Sequence, residues 1–338
     1  MDDKRLNIVF FGSGAFGLPT LRALNEHHNL LCVVSQPDRP AGRGKTLTPT
    51  PISAWAQEHL RPTQLVRPDN VNAPKVVDEL QRLPVGPDAM RKGAFVVIAF
   101  GQKMGPELLE HRFAINLHAS LLPRWRGAAP INHAILAGDI ETGNSVITLA
   151  QRMDAGLILG QSKRAIDRAD WPDTAATLHD ELANDGPALI LHVLDQYAMD
   201  DLRPHRQDEA LVTRASKLHR ALAQLDLALP AARIANTING LSPWPGVSAR
   251  LGPHTLRLLR VAVDAPAAAP HGLLDNRAAG TILDHASGTI RCGGGSSIRL
   301  LEVQPTGKKV MTWRDFANGF TPRTPEDARL KPMDALGT

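Results

Sequence analysis

Residues 114–127 read Ala114-Ile115-Asn116-Leu117-His118-Ala119-Ser120-Leu121-Leu122-Pro123-Arg124-Trp125-Arg126-Gly127. The first five alternate apolar and polar, the period of a β-strand, which puts Asn116 and His118 on one face. Pro123 forbids a regular continuation, so an amide and an imidazole sit together at the carboxyl end of the strand. In open α/β sheets ligands bind at that edge. Such a pair can hold and protonate an oxyanion growing on a carbonyl carbon. Read alone, it fits equally a strand end whose polar groups bond to nearby loop backbone.

The residues preceding this stretch set its context. Leu6–Phe11 reads as a buried parallel strand running into Gly12-Ser13-Gly14-Ala15-Phe16-Gly17, with a helix from Pro19 to Asn25. The order strand, G-x-G-x-x-G, helix formally matches a dinucleotide fingerprint. However, the next strand, Leu30–Val34, ends at Ser35-Gln36 where a ribose-binding acid is wanted, and Asp38 comes late in a Pro-rich loop. Glycines at a first strand-helix turn also serve close packing, so no NAD is expected. Helical patterns follow at Ile52–Leu60 and Ala73–Leu83, then a Pro/Gly-rich break at Pro84–Gly93, read as a surface insertion. The strand Phe95–Phe100 ends at Gly101-Gln102, and a short helix at Pro106–Glu110 leads back to Ala114. This alternation predicts an α/β fold with a doubly wound, Rossmann-like parallel sheet.

Beyond Gly127, a helix is expected at Pro130–Ala137, then strands Ser145–Gln151 and Leu157–Gln161 flanking a turn that carries Asp154. Asp173 is placed to cap a helix starting at Thr174, and a second helix is expected at Pro187–Ala198. The polar stretch 200–217 reads as irregular. The division expected is residues 1–206, a linker at 207–220, and a second domain at 221–338. In that last part a helix at Pro230–Ile238 precedes short strands at Thr255–Val263, Gly280–Leu283, Thr289–Arg291 and Ser297–Val303, with Gly293–Gly295 as a hairpin tip. A small antiparallel β-barrel of OB-like type is expected there, with a loose tail after Phe320.

Composition sets outer limits. The 338 residues allow two domains, and 43% apolar with 21% charged content fits a soluble globular chain. Cys32 and Cys292 are the only cysteines and lie far apart, so neither a disulfide framework nor a Cys-type zinc site is expected. The first residues lead straight into a strand, and no apolar run reaches the ~18 residues of a membrane span. A cytoplasmic protein that does not engage the membrane is expected, acting as a monomer. Net charge is +4, and from Ala221 onward 13 Lys/Arg face 9 Asp/Glu, so the excess sits in the last third. That is a mild bias towards a polyanionic partner. The 13 histidines are scattered without metal-ligand spacing, so no metal is expected.

The chemistry narrows by elimination. The loop Gln36–Thr46 is long and basic and ends in Gly-Lys-Thr, but the leading glycine of a phosphate loop would fall at Arg39. A Ser120, His118, Asp154 hydrolase triad lacks the G-x-S-x-G elbow, and a nucleophile two residues from its base is hard to aim. What remains needs no enzyme nucleophile. His118 manages a proton, Asn116 stabilises an oxyanion, and a carboxylate tunes the imidazole. Asp154 is the natural carboxylate if its turn meets the strand end.

Here the residues resemble a known family. Asn116-Leu117-His118-Ala119-Ser120-Leu121-Leu122-Pro123 is similar to the N-x-H…S-L-L-P signature of folate-dependent formyltransferases, and Asp154 in Met153-Asp154-Ala155-Gly156 matches the third catalytic position of that family. The resemblance implies a catalytic trio Asn116, His118 and Asp154, with 10-formyltetrahydrofolate as co-substrate. It implies folate binding by Phe100, Gly101 and the turn Ser120, Leu121, Leu122, Pro123. The signature fixes the donor better than the acceptor. Gln36–Lys45, Pro123–Ile131, Ser242–Pro245 and Gln304–Met311 resemble the branch of the family whose acceptor is methionyl-tRNA. That likeness implies formyl transfer to the α-amino group of the initiator, with phosphate contacts from Arg39, Arg43, Lys45, Arg126, Lys308 and Lys309 and tRNA binding by the second domain. Rival readings are a small amine acceptor, such as an amino-sugar nucleotide or glycinamide ribonucleotide, a hydrolase that releases formate, and an RNA-binding module without catalysis. The sequence departs from the family in Gly12-Ser13-Gly14-Ala15-Phe16, in the break at Pro84–Gly93, and in Leu225-Asp226-Leu227, which lacks a usual aromatic.

Overall fold

Six consecutive buried residues, Asn7–Gly12 (β1), form an interior strand of a seven-stranded, mostly parallel sheet. The computed structural model describes residues 5–41, 46–86, 89, 92–264 and 277–333. After β1 the chain forms Leu18–His27 (α1), Asn29–Val34 (β2), Arg39–Ala41 (β3), Thr46–Thr48 (β4), Pro51–His59 (α2), Leu65–Val66 (β5), Pro74–Gln81 (α3), Gly93–Ile98 (β6), Pro106–Leu109 (α4) and Ala114–His118 (β7). There follow Arg126–Gly127 (β8), Pro130–Ala137 (α5), Glu141–Thr148 (β9), Ile158–Ala165 (β10), Ala175–Ala198 (α6) and Arg214–Ala215 (β11). The first sheet has the order β10-β9-β7-β6-β1-β2-β5. β5, β2, β1, β6 and β7 run parallel, and β9 joins β7 antiparallel.

The last third is Ala231–Gly240 (α7), Val247–Leu251 (β12), His254–Val263 (β13), Ile282–Asp284 (β14), Thr289–Arg291 (β15), Ser297–Pro305 (β16), Met311–Thr312 (β17), Trp313–Asn318 (α8) and Leu330–Pro332 (β18). Its strands form a curled antiparallel sheet of order β14-β15-β16-β13-β12-β18, with β17 on β16. An antiparallel bridge between Thr281 and Arg329 joins residues beside the two edge strands. Leu225 and Leu227 are buried in the core under this sheet.

The chain packs as two compact units. Met1–Arg126, Gly143–Lys163 and Asp180–Thr213 form the first, and Gly127–Thr142, Arg164–His179 and Arg214–Thr338 the second. No described helix is long and apolar enough to cross a membrane.

Three expectations change. The helices expected at Thr174 and Pro187 are one 24-residue helix with Pro187 inside it. Pro removes one backbone bond, but Leu182 and Ala183 before it and Ile190, Val193 and Leu194 after it are all buried, so packing along both halves outweighs the break. The tail after Phe320 returns as β18, pairs with β12 and buries Leu330. The loop after β2 contains the hairpin β3–β4, whose tip, with Arg43 and Lys45, lies outside the described residues. In the break Pro84–Gly93, residues 87, 88, 90 and 91 are also outside them, while Val85 is buried.

The glycine-rich first turn is explained by packing. A Cβ on Gly12 would meet Phe10 Cε1 at 2.5 Å and the Ile98 carbonyl oxygen at 2.9 Å. Ser13 bonds within the turn. Its hydroxyl donates to the Phe100 carbonyl at 3.0 Å and accepts from the Gln36 amide at 3.1 Å, tying the ends of β1, β2 and β6 together. Beneath them, Phe11 is fully buried with its ring 5.0 Å from Phe95 and 5.6 Å from Phe100. Phe11→Ala is therefore expected to lower the unfolding free energy by about 3–5 kcal/mol, and Phe11→Leu by less, as measured by denaturant titration.

Candidate active site

β7 ends as its alternation requires. His118 is buried and pairs across to Ser145 of β9, while Asn116, half-buried on the same face, pairs with Val97 of β6 and Ile147 of β9. After His118 the chain tightens into a turn whose polar groups satisfy one another. Ser120 Oγ donates to the Arg124 carbonyl at 2.6 Å, and the Leu122 amide donates to Ser145 Oγ at 3.0 Å. Ser145 Oγ donates to the Ser120 carbonyl at 2.6 Å. Gln161 Nε2 donates to the Leu122 carbonyl at 3.0 Å and to Ser145 Oγ at 2.8 Å. Leu122 itself packs on Ile147 and Ile158.

Trp125 lies in the left-handed region with φ 63°, its amide donating to Thr213 Oγ1 at 2.9 Å. That conformation turns its carbonyl onto His118 Nε2 at 2.9 Å. A carbonyl only accepts, so Nε2 carries the proton in this bond. The other ring nitrogen, Nδ1, lies 3.8 Å from Asp154 Oδ1, and the two side chains are only 7% and 13% exposed. The structure thus brings His118 and Asp154 together, with acceptors on both sides of the imidazole. The imidazole is held by a main-chain carbonyl on one side and faced by a carboxylate on the other.

Asp154 also takes a left-handed backbone, φ 54°, in the turn between β9 and β10. The neck of that turn is closed by bonds from the Thr148 amide to the Leu157 carbonyl and from the Leu157 amide to Thr148 Oγ1, each 2.9 Å. Gly156 is required there, because a Cβ would sit 1.7 Å from the Thr148 carbonyl oxygen.

Residues that the sequence reading missed complete the support. Gln207 Nε2 donates to the carbonyls of Asp154 and Gly156, both at 2.8 Å. Arg126 Nε donates to Gln207 Oε1 at 2.9 Å, and Glu209 binds Arg126 through Oε1 at 2.9 Å and Arg152 through Oε2 at 2.6 Å. Arg126, expected at a tRNA phosphate, is instead buried with its guanidinium engaged inside the protein. The hydrogen bonds from Arg126 and Arg152 hold the Glu209 carboxyl below the usual carboxylate range. Gln207 and Glu209 fall in the polar stretch read as a linker, where no periodicity flags them.

The remaining expected residues are placed as follows. Phe100 is buried, and its carbonyl accepts from Ser13 and from Gln36 Nε2 at 3.2 Å. Gly101 is exposed with φ 84°. Leu121 and Pro123 are half-buried beside the turn. Arg39 is exposed on β3, donating to Gln36 Oε1 at 3.2 Å, and Lys308 and Lys309 are exposed after β16. Among the described residues no group of three His, Cys, Asp or Glu could hold a metal. Burial pushes the Cys32 thiol up to about 12 and the Cys292 thiol to about 11, so neither is a nucleophile at neutral pH.

A carboxyl depressed in the folded state contributes stability above its unfolded pKa, which is lost as pH falls through the folded one. The melting temperature of the native chain is therefore expected to drop in the acid range partly through Glu209. Glu209→Gln should melt lower at neutral pH and converge on the native chain as pH is lowered. Gly156→Ala is expected to destabilise by about 2–4 kcal/mol, read by thermal denaturation, because backbone must move to admit the methyl group.

Residues 6–194 match the family model for formyl transferase, and residues 217–321 that for the formyl transferase C-terminal domain. A methionyl-tRNA formyltransferase of Methylococcus capsulatus is 41% identical over 318 residues, covering 93% of this chain and 96% of that protein. One of Geobacter sulfurreducens is 38% identical over 337 residues, covering 98% and 97%. Among solved structures, an N-formyltransferase of Helicobacter canadensis in complex with folinic acid and dTDP-3-aminofucose superposes with a TM-score of 0.61 at 14% identity, over 89% of this chain and 99% of that one. At that identity the likeness is one of fold. Both family models in order, and relatives matched along nearly their whole length, establish that the chain belongs to the formyl transferase family.

Proposed function

We propose that the protein transfers the formyl group of 10-formyltetrahydrofolate to the free α-amino group of methionyl-tRNA, leaving tetrahydrofolate. The observation that carries the chemistry is the close approach of buried His118 and half-buried Asp154, with Asn116 on the same strand as His118. The named relatives support the acceptor, and the folinic acid bound to the Helicobacter canadensis neighbour supports the donor class.

In this reading the amine nitrogen attacks the formyl carbon on N10 and the carbonyl oxygen becomes an oxyanion. The Asn116 amide and the protonated His118 donate to that oxyanion, His118 by releasing its Nε2–H from the Trp125 carbonyl, and each well-aimed donor contributes about 3 kcal/mol there. The C–N10 bond then breaks, N10 takes a proton relayed by His118, and the amine, having lost one, is left as a formamide. Asp154 holds the imidazole and orders water for the transfer.

The folate would lie along Phe100–Gly101 and Ser120–Pro123. The main chain of Ser120 and Leu122 and the Phe100 carbonyl are already engaged within the protein, so Leu121 and Pro123 serve as a wall and Gly101 as the open backbone. We read the curled sheet as an OB-like barrel, a reading supported by the Thr281–Arg329 bridge, and assign it to tRNA. Arg39, Lys308 and Lys309 are exposed, as phosphate contacts must be, and Arg43 and Lys45 join them in the proposal from sequence alone.

The test is transfer of labelled formyl from 10-formyltetrahydrofolate to purified methionyl-tRNA, with uncharged tRNA, free methionine and an amino-sugar nucleotide as alternative acceptors. Label is expected on methionyl-tRNA only, and label on the sugar nucleotide alone overturns the assignment. His118→Ala should lose about 10²–10⁴ in kcat and Asn116→Ala about 10²–10³. Replacing Lys308 and Lys309 by Ala should weaken tRNA binding and reduce the slope of log K against log salt by about one to two.

A further inference from the structure

Asp154 stands in a backbone conformation that a residue with a side chain rarely holds unless its surroundings impose it. The neck between Thr148 and Leu157 closes the turn but does not reach its tip. At the tip, one amide group of Gln207 grips two carbonyls, those of Asp154 and Gly156, each at 2.8 Å. Its orientation is settled by its third partner. Arg126 Nε can only donate, so the atom facing it must be the Gln207 oxygen, and the two carbonyls must face the NH2. Arg126 is in turn fixed by Glu209, which also holds Arg152, two residues before Asp154. The clasp therefore runs from the main chain of Asp154 through Gln207 and Arg126 to Glu209 and back to the same turn.

We propose that Gln207 is a positioning residue for formyl transfer, acting through Asp154 by holding its main chain so that the carboxylate faces His118. This rests on the role assigned to Asp154 above. Gln207 donates to carbonyl oxygens of the turn, so its loss should slow the chemical step and leave substrate binding in place. A residue that served folding alone would lower stability without separating kcat from KM.

Gln207→Glu isolates the donor. It keeps an oxygen for Arg126 and sets a second oxygen, with no proton, against the two carbonyls. In steady-state assays with 10-formyltetrahydrofolate and methionyl-tRNA, Q207E should lose about tenfold or more in kcat, since small displacements of a catalytic group are costly. Both KM values should stay within about twofold, the loss being confined to the step after binding. The decisive comparison is the cycle with Asp154→Asn. Once the carboxylate is gone Gln207 has nothing to position, so the double variant should match D154N within about twofold. Gln207→Ala, which leaves room for water, is run through the same cycle in case Q207E does not fold. The proposal is overturned if the Gln207 variants keep the native kcat, or if their loss multiplies in full with that of D154N. Should D154N alone keep the native kcat, the role of Asp154 falls and this inference with it. If D154N is slow while the Gln207 variants are not, only the inference falls.

Discussion

A carboxylate and an imidazole, 36 residues apart in sequence, face each other across 3.8 Å, each side chain little exposed. Much of the first unit can be understood as the support for that approach. The imidazole end is delivered by a strand with neighbours on both sides, β6 parallel and β9 antiparallel, so Asn116 and His118 are registered by the sheet. The carboxylate end comes from a turn, which has no ladder to fix it. The protein supplies the missing constraint with side chains. Thr148 closes the neck, Gly156 permits the close approach, and Gln207 with Arg126 grips the tip.

The same economy governs the turn after β7. Its carbonyls and amides bond to Ser120, Ser145 and Gln161, which leaves an ordered wall in place of a set of competing acceptors. Preorganised groups of this kind need no reorganisation when charge develops, which is where most of the gain from an oxyanion site originates. It also suits a reaction in which both nucleophile and leaving group belong to the substrates. With both thiols pushed far above neutral pH by burial, the chain has polar groups to steer protons and none of these sulfurs to form a covalent intermediate.

Much of this was legible in the sequence because the elements concerned have a period. The five-residue alternation gave β7 with its bounds, and the apolar runs gave β1, β2 and β6. Asp154 was legible through resemblance, since a turn residue carries no periodic signal. Gln207 and Glu209 were not, because a polar stretch reads alike whether it is a linker or a clasp, and only tertiary contacts distinguish the two. Arg126 shows the converse. The resemblance implies a phosphate contact for it, yet the side chains that engage it are more than 80 residues away. Pro187 and the tail strand β18 were misread for a related reason: local breakers and Pro-rich composition were outweighed by burial of residues on either side.

The central claim is that His118 and Asp154 act as one unit in the proposed transfer. Single-turnover rates of formyl transfer for His118→Ala, Asp154→Asn and the double variant test it most directly, because groups that share one function are strongly non-additive. The account predicts a double variant no slower than His118→Ala alone. A double variant slower by the full product of the two single losses would show that the carboxylate acts independently of the imidazole, and would contradict it.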